Sequence, residues 1–107
     1  MAYVTKHGKK RIKQRCKVSK NSAYKLAEKA LKKGITHSET RGSLNRYLTS
    51  LYFKNQTANN IKIYNFKVFI FIGSVLITVL DLPAKYRKTV ENILGSKNSE
   101  FLEAANG

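Results

Sequence analysis

Residues 66 to 80, FKVFIFIGSVLITVL, form a nearly unbroken apolar run in a chain of 107 residues whose formal net charge is +15. Such a run belongs either to a membrane anchor or to strands buried on both faces. A helix that crosses the hydrocarbon needs about 20 consecutive apolar residues. This run is shorter and is interrupted by Lys67, Gly73, Ser74 and Thr78. Its Val, Ile, Phe and Thr side chains, branched or aromatic, suit a pleated surface better than a helix. The stretch therefore reads as two strands around a turn at Gly73-Ser74, and no membrane segment is expected.

Upstream, KNQTANN reads as a polar connector, and IKIYNFKVFIFIGSVLITVLD lays out three strands at about 61–64, 67–72 and 75–80. Two-residue turns at Asn65-Phe66 and Gly73-Ser74 join them. Turns of that length set the pairing, with Tyr64 opposite Lys67 and Ile72 opposite Val75. One face then collects Ile61, Ile63, Val68, Ile70, Ile72, Val75, Ile77 and Val79, an aliphatic surface expected to face two N-terminal helices. The other collects Lys62, Tyr64, Lys67, Phe69, Phe71, Leu76, Thr78 and Leu80, mixing aromatics with lysines.

Three helices surround these strands. NSAYKLAEKALKKG predicts a helix over 22–33, with Asn21 or Ser22 as N-cap and Gly34 at its end. Its lysines Lys25, Lys29, Lys32 and Lys33 share one face. In ITHSETRGSLNRYLTSLYFK, Leu44, Tyr47, Leu48, Leu51 and Tyr52 fall at i, i+3, i+4, i+7 and i+8. Thr36 and Glu39 form a candidate capping box that starts this helix at His37, with Gly42 the other starting point. LPAKYRKTVENILG predicts a third helix, expected to cover Phe71, Leu76 and Leu80 and to leave Lys62, Tyr64, Lys67 and Phe69 open. The expected fold is α+β: two N-terminal helices packed on a three-stranded antiparallel meander, followed by a C-terminal helix. That domain spans 21–95, between a flexible basic arm at 1–20 and a frayed tail at 96–107.

Composition narrows the chemistry. Cys16 is the single cysteine, which excludes a disulfide framework, and with His7 and His37 it falls short of a structural zinc set. No glycine-rich phosphate loop and no paired carboxylates occur, so no metal or cofactor is expected. The N-terminus is basic but no apolar segment follows it, which points to a cytoplasmic protein.

What remains is electrostatics with stacking. There are 21 Lys and Arg against 6 Asp and Glu, and residues 1–20 hold eight of the cations and no acid. Such a block seeks a polyanion. The candidate contacts are Lys9, Lys10, Arg11, Lys13 and Arg15 on the arm, Arg41 and Arg46 on the second helix, and Lys85, Arg87 and Lys88 after the sheet. Lys62, Tyr64, Lys67 and Phe69 would form a stacking platform on the mixed face. His37 reads first as a surface histidine of a first turn, and also as a candidate acid or base. The expected partner is RNA or DNA, with a nucleoprotein complex or an acidic protein as the other class.

The order helix, helix, three-stranded meander, helix, with VFIF, LITVL and DLP in and after the sheet, resembles RelE-like ribonucleases and the wider barnase, EndoU and colicin-type nuclease group. The resemblance covers about residues 22 to 94 and is one of layout. It implies a metal-independent ribonuclease in which His37, Lys62, Lys67, Thr78 and Arg87 stand where the family keeps its basic residues, histidine and hydroxyl. The double-stranded-RNA-binding domain is a more distant analogue. The other reading is a phage or mobile-element protein that binds and inhibits a host nucleic-acid-handling complex.

Overall fold

The computed structural model describes residues 2–54 and 58–95. In chain order they form β1 (Tyr3–Val4), α1 (Lys6–Cys16), α2 (Lys20–Lys33), β2 (Ile35–Thr36), a 3-10 turn (His37–Glu39), α3 (Gly42–Lys54), β3 (Asn60–Tyr64), β4 (Lys67–Ile72), β5 (Val75–Asp81), a second 3-10 turn (Ala84–Tyr86) and α4 over 87–95. The five strands make one mixed sheet in the order β1-β5-β4-β3-β2. β1 runs parallel to β5, and every other pair is antiparallel.

The meander has the expected strands, the expected turns, and the expected Tyr64–Lys67 and Ile72–Val75 pairs. At the first turn Asn65 and Phe66 both have left-handed backbones, with φ of 51° and 57°, the pattern of a tight hairpin turn that matches strand twist. A phenylalanine is strained there. Its ring packs on the core below and carries the Arg87 guanidinium 4.7 Å above its centre, which offsets that cost.

The faces differ from expectation at one point. Ile70 pairs with Thr78 but Phe71 with Leu76, so Ile77 is an extra residue bulged out of β5. A one-residue insertion exchanges the faces of everything beyond it. Val79 therefore joins Phe69 on the aromatic face, while Leu80 pairs with Val68 and moves to the aliphatic one.

α3 covers the aliphatic face as expected, whereas α2 and the terminal helix lie on the opposite faces from those expected. Leu44, Leu48 and Leu51 of α3, with Tyr86 and Val90 from the C-terminal end, pack on Ile61, Ile63, Val68 and Ile70. Ile12 of α1 and Ala23, Ala27 and Ala30 of α2 pack on Phe69, Phe71, Leu76 and Val79. Large aromatics on the sheet meet small alanines on the helix, so α2 can lie close. The terminal helix thus does not cover Phe71 and Leu76, and the mixed face is not left open.

The segment read as a flexible basic arm is instead ordered by a few contacts to β5. Thr5 caps α1, its hydroxyl accepting from the Gly8 N–H at 3.0 Å and donating to the Leu76 carbonyl at 3.1 Å. The Thr5 N–H reaches the same carbonyl at 3.0 Å. Gly8 is needed for the approach, since a Cβ there would stand 2.5 Å from the Leu76 oxygen. α2 begins at Lys20 with Ser19, not Asn21 or Ser22, as its cap. The Thr36–Glu39 box exists but caps the 3-10 turn, and α3 starts at Gly42. The expected frayed tail at 96–107 lies outside the described residues.

Two measurements check this arrangement. Because both faces of β4 are covered, Ile70→Ala and Phe69→Ala should each destabilise the protein in chemical denaturation, by about 2–5 and about 3–5 kcal/mol. Gly8→Ala ordinarily favours a helix by roughly 0.5–1 kcal/mol. Here it should lower the melting temperature and expose α1 to proteolysis.

Candidate nucleic-acid interface

α1 carries six Lys and Arg residues and α2 five, with Lys17 between them, whereas Glu28 is the only acid in residues 6–33. Neither helix has an acid in its first turn. Glu28 accepts from the Ala2 N–H at 2.5 Å and pairs with Lys32 at 3.1 Å. One face of the molecule is thus a helical layer of nearly unopposed positive charge. A field of that kind concentrates polyanions and speeds their encounter.

A cleft of about 550 Å³ opens where the C-terminal end of α1, the first half of α2 and the β3–β4 turn meet. Arg15, Lys17, Lys25, Lys29 and Lys67 surround it, Cys16, Val18 and Leu26 give it apolar surface, and Ser22 and Asn65 add polar groups. Asp81, at the end of β5, accepts from Lys67 at 2.6 Å and from Arg15 at 3.0 Å. The Lys67 hydrogen bond, helped by the positive charge of Lys67 and Arg15, holds its carboxyl below the usual aspartate range. Burial pushes the Cys16 thiol up, with Lys67 opposing the shift and Asp81 adding to it. The thiol is therefore no activated nucleophile.

Of the expected site residues, Lys9, Lys10, Arg11, Lys13 and Arg15 stand together on α1. Lys9 and Lys10 line a shallow surface hollow with Lys6 and Lys13. Lys67 lines the cleft. The expected stacking platform is not available, because Phe69 is fully buried beneath α1 and α2 and Tyr64 is half-buried against it, ring centres 6.4 Å apart. Lys62 lies beside Gly34 at the end of α2. Arg41, Arg46 and Lys88 are exposed elsewhere on the molecule, Arg87 stacks on Phe66, and Lys85 lies 5.2 Å over the Tyr86 ring.

His37 and Thr78 are not brought together. The sheet order separates β5 from β2 by three strand spacings, roughly 14 Å. The His37 ring holds the Thr49 hydroxyl at 2.9 Å and meets Tyr52 edge-on at 5.4 Å, while its carbonyl accepts from Thr40 and Asn45. These bonds fasten the 3-10 turn to α3. Thr78 shares a groove beside α1 with His7, Arg11 and Arg15.

Sequence reasoning missed Lys17, which sits in the left-handed cap that ends α1, and Tyr24. Helical spacing assigns Tyr24 to the apolar side of α2, yet its ring is exposed with the Lys9 ammonium 5.5 Å from its centre. Among the described residues no three His, Cys, Asp or Glu side chains cluster as metal ligands, and no helix is long and apolar enough to cross a membrane. No protein-family model matches the chain, and no curated protein or solved structure matches it.

Because the Asp81 carboxyl is depressed, its contribution to stability is present above the ordinary aspartate range and is lost as pH falls through its lowered value. Asp81→Asn should therefore lower the melting temperature at neutral pH and flatten the acid limb of a stability-against-pH curve.

Proposed function

We propose that the protein binds nucleic acid, RNA foremost, through the α1–α2 layer. The observation that carries this reading is the concentration of cations on α1 and α2 with Glu28 as their single acid. Cations in this excess, with only Glu28 and the Asp81 partner of Arg15 paired against them among the described residues, are matched by a phosphate backbone, whose neutralisation releases counterions and supplies most of the affinity. The exposed Tyr24 beside Lys9 adds a surface on which a base can stack.

Binding is favoured over cleavage. A metal-independent ribonuclease needs a placed proton acceptor and a placed donor, and His37 is occupied by Thr49, Tyr52 and the turn it closes. The inhibitor reading differs in its target, a protein complex in place of free nucleic acid, and the same titration separates the two.

In fluorescence titrations with a labelled single-stranded RNA, affinity should fall steeply as salt rises. Each neutralised phosphate contributes about 0.7 to the slope of log affinity against log salt for single strands and about 0.9 for duplex DNA. The double variant Lys9→Gln with Lys13→Gln should reduce the single-strand slope by about 1.4. An affinity indifferent to salt would overturn the reading, and tight capture of a nucleoprotein complex without affinity for its RNA would favour the inhibitor.

A further inference from the structure

The cleft at the end of α1 differs from the rest of the basic layer in being concave and floored. Its cations stand around apolar side chains, Cys16, Val18 and Leu26, which are themselves partly buried against the aromatic-face core. The ion pairs of the described residues engage Arg15 and Lys67 through Asp81 but none of Lys17, Lys25 and Lys29. Arg15 is also under-used by the fold, since its Nε–H is buried without a hydrogen-bond partner among the described residues. A volume of about 550 Å³ lies within the range of small-ligand pockets.

We infer that this cleft takes one unstacked nucleotide of a single strand, the base lying over Val18 and Leu26 and the flanking phosphates lying between Lys17, Lys25 and Lys29. The inference rests on the nucleic-acid reading and adds to it a position and a strand form. A rim of cations around an apolar floor suits the two halves of a nucleotide, a charged backbone and a base with an apolar face. Duplexes keep their bases stacked inside, so a duplex can touch the rim lysines but leaves the floor empty. The Asn65 amide, at the cleft mouth on an exposed turn, can donate to and accept from a base edge.

The floor carries its own reporter, because Cys16 is the sole thiol of the chain. The test is the rate of iodoacetamide alkylation of Cys16 in the full chain, followed by mass spectrometry, beside fluorescence anisotropy of the same samples. The probes are a 12-nucleotide oligouridine and a 12-base-pair RNA duplex. Oligouridine should slow alkylation in step with occupancy, by about tenfold when ~90% of the protein is bound, and the duplex should leave the rate within about twofold of the free protein when equally bound. Lys25→Glu with Lys29→Glu, both at exposed positions, should abolish the protection and weaken oligouridine binding more than duplex binding. Oligouridine bound by anisotropy with alkylation at the free rate would overturn the cleft and leave the nucleic-acid reading intact. Equal protection by the duplex would overturn the single-strand assignment. Absence of binding to either probe at low salt would remove both the inference and the reading under it.

Discussion

A strand with no wet side dictates how this small chain is built. Val68, Phe69, Ile70 and Phe71 of β4 are all fully buried, and alternate residues of a strand point to opposite faces. Both faces of the sheet therefore need a cover, and a chain of this length must use nearly all its helices to provide one. α3 and the C-terminal turn and helix serve the aliphatic face, and α1 and α2 the aromatic face. A large side chain buried in this way contributes about 1.5–3 kcal/mol. With both faces occupied inside, the positive charge of the chain has to go to the outer surface of the helices.

On the proposed reading, that placement ties function to architecture. The helices that cover Phe69 and Phe71 bury Ile12 and three alanines fully and pack Cys16, Leu26 and Leu31 partly against that core. Their remaining positions are free to be lysine or arginine. Like charges so close repel, and the layer is held down by contacts of another kind: the Thr5 and Gly8 approach to Leu76, and Asp81 clamped between Arg15 and Lys67. A polyanion laid across the layer relieves the repulsion and stabilises the fold by mass action.

The meander was legible because its signals are local. β-branched and aromatic runs bounded by two-residue turns determine strands and pairing without reference to anything distant, and Leu44, Leu48 and Leu51 mark the buried side of α3 in the same way. The α1 region was not legible, because a helix that buries only Ile12 and Gly8 in eleven residues has no apolar period to detect. β1 and β2 are two residues each, too short for alternation to show. Nothing in VLITVL marks Ile77 as a bulge, so Val79 and Leu80 were assigned to each other's faces. For the site, the cations of α1 could be named from their residue type. The cleft could not, because it exists only where the end of α1, the start of α2 and the Asn65 turn converge.

The parallel pairing of β1 with β5 also has a bearing on synthesis. Thr5 lies 71 residues before the Leu76 carbonyl that fixes it, and at roughly 5–20 residues per second on the ribosome that interval is on the order of ten seconds. Throughout it α1 has no strand to dock on, and an isolated helix of 11 residues is marginal in water. The nascent segment is then a lysine-rich peptide emerging beside ribosomal RNA, itself a polyanion. Among the strand pairings of the described residues, β1 with β5 closes the longest loop and so carries the largest closure entropy. On the proposed nucleic-acid reading, maturation would set β5 in competition with that RNA for the most cationic helix of the chain.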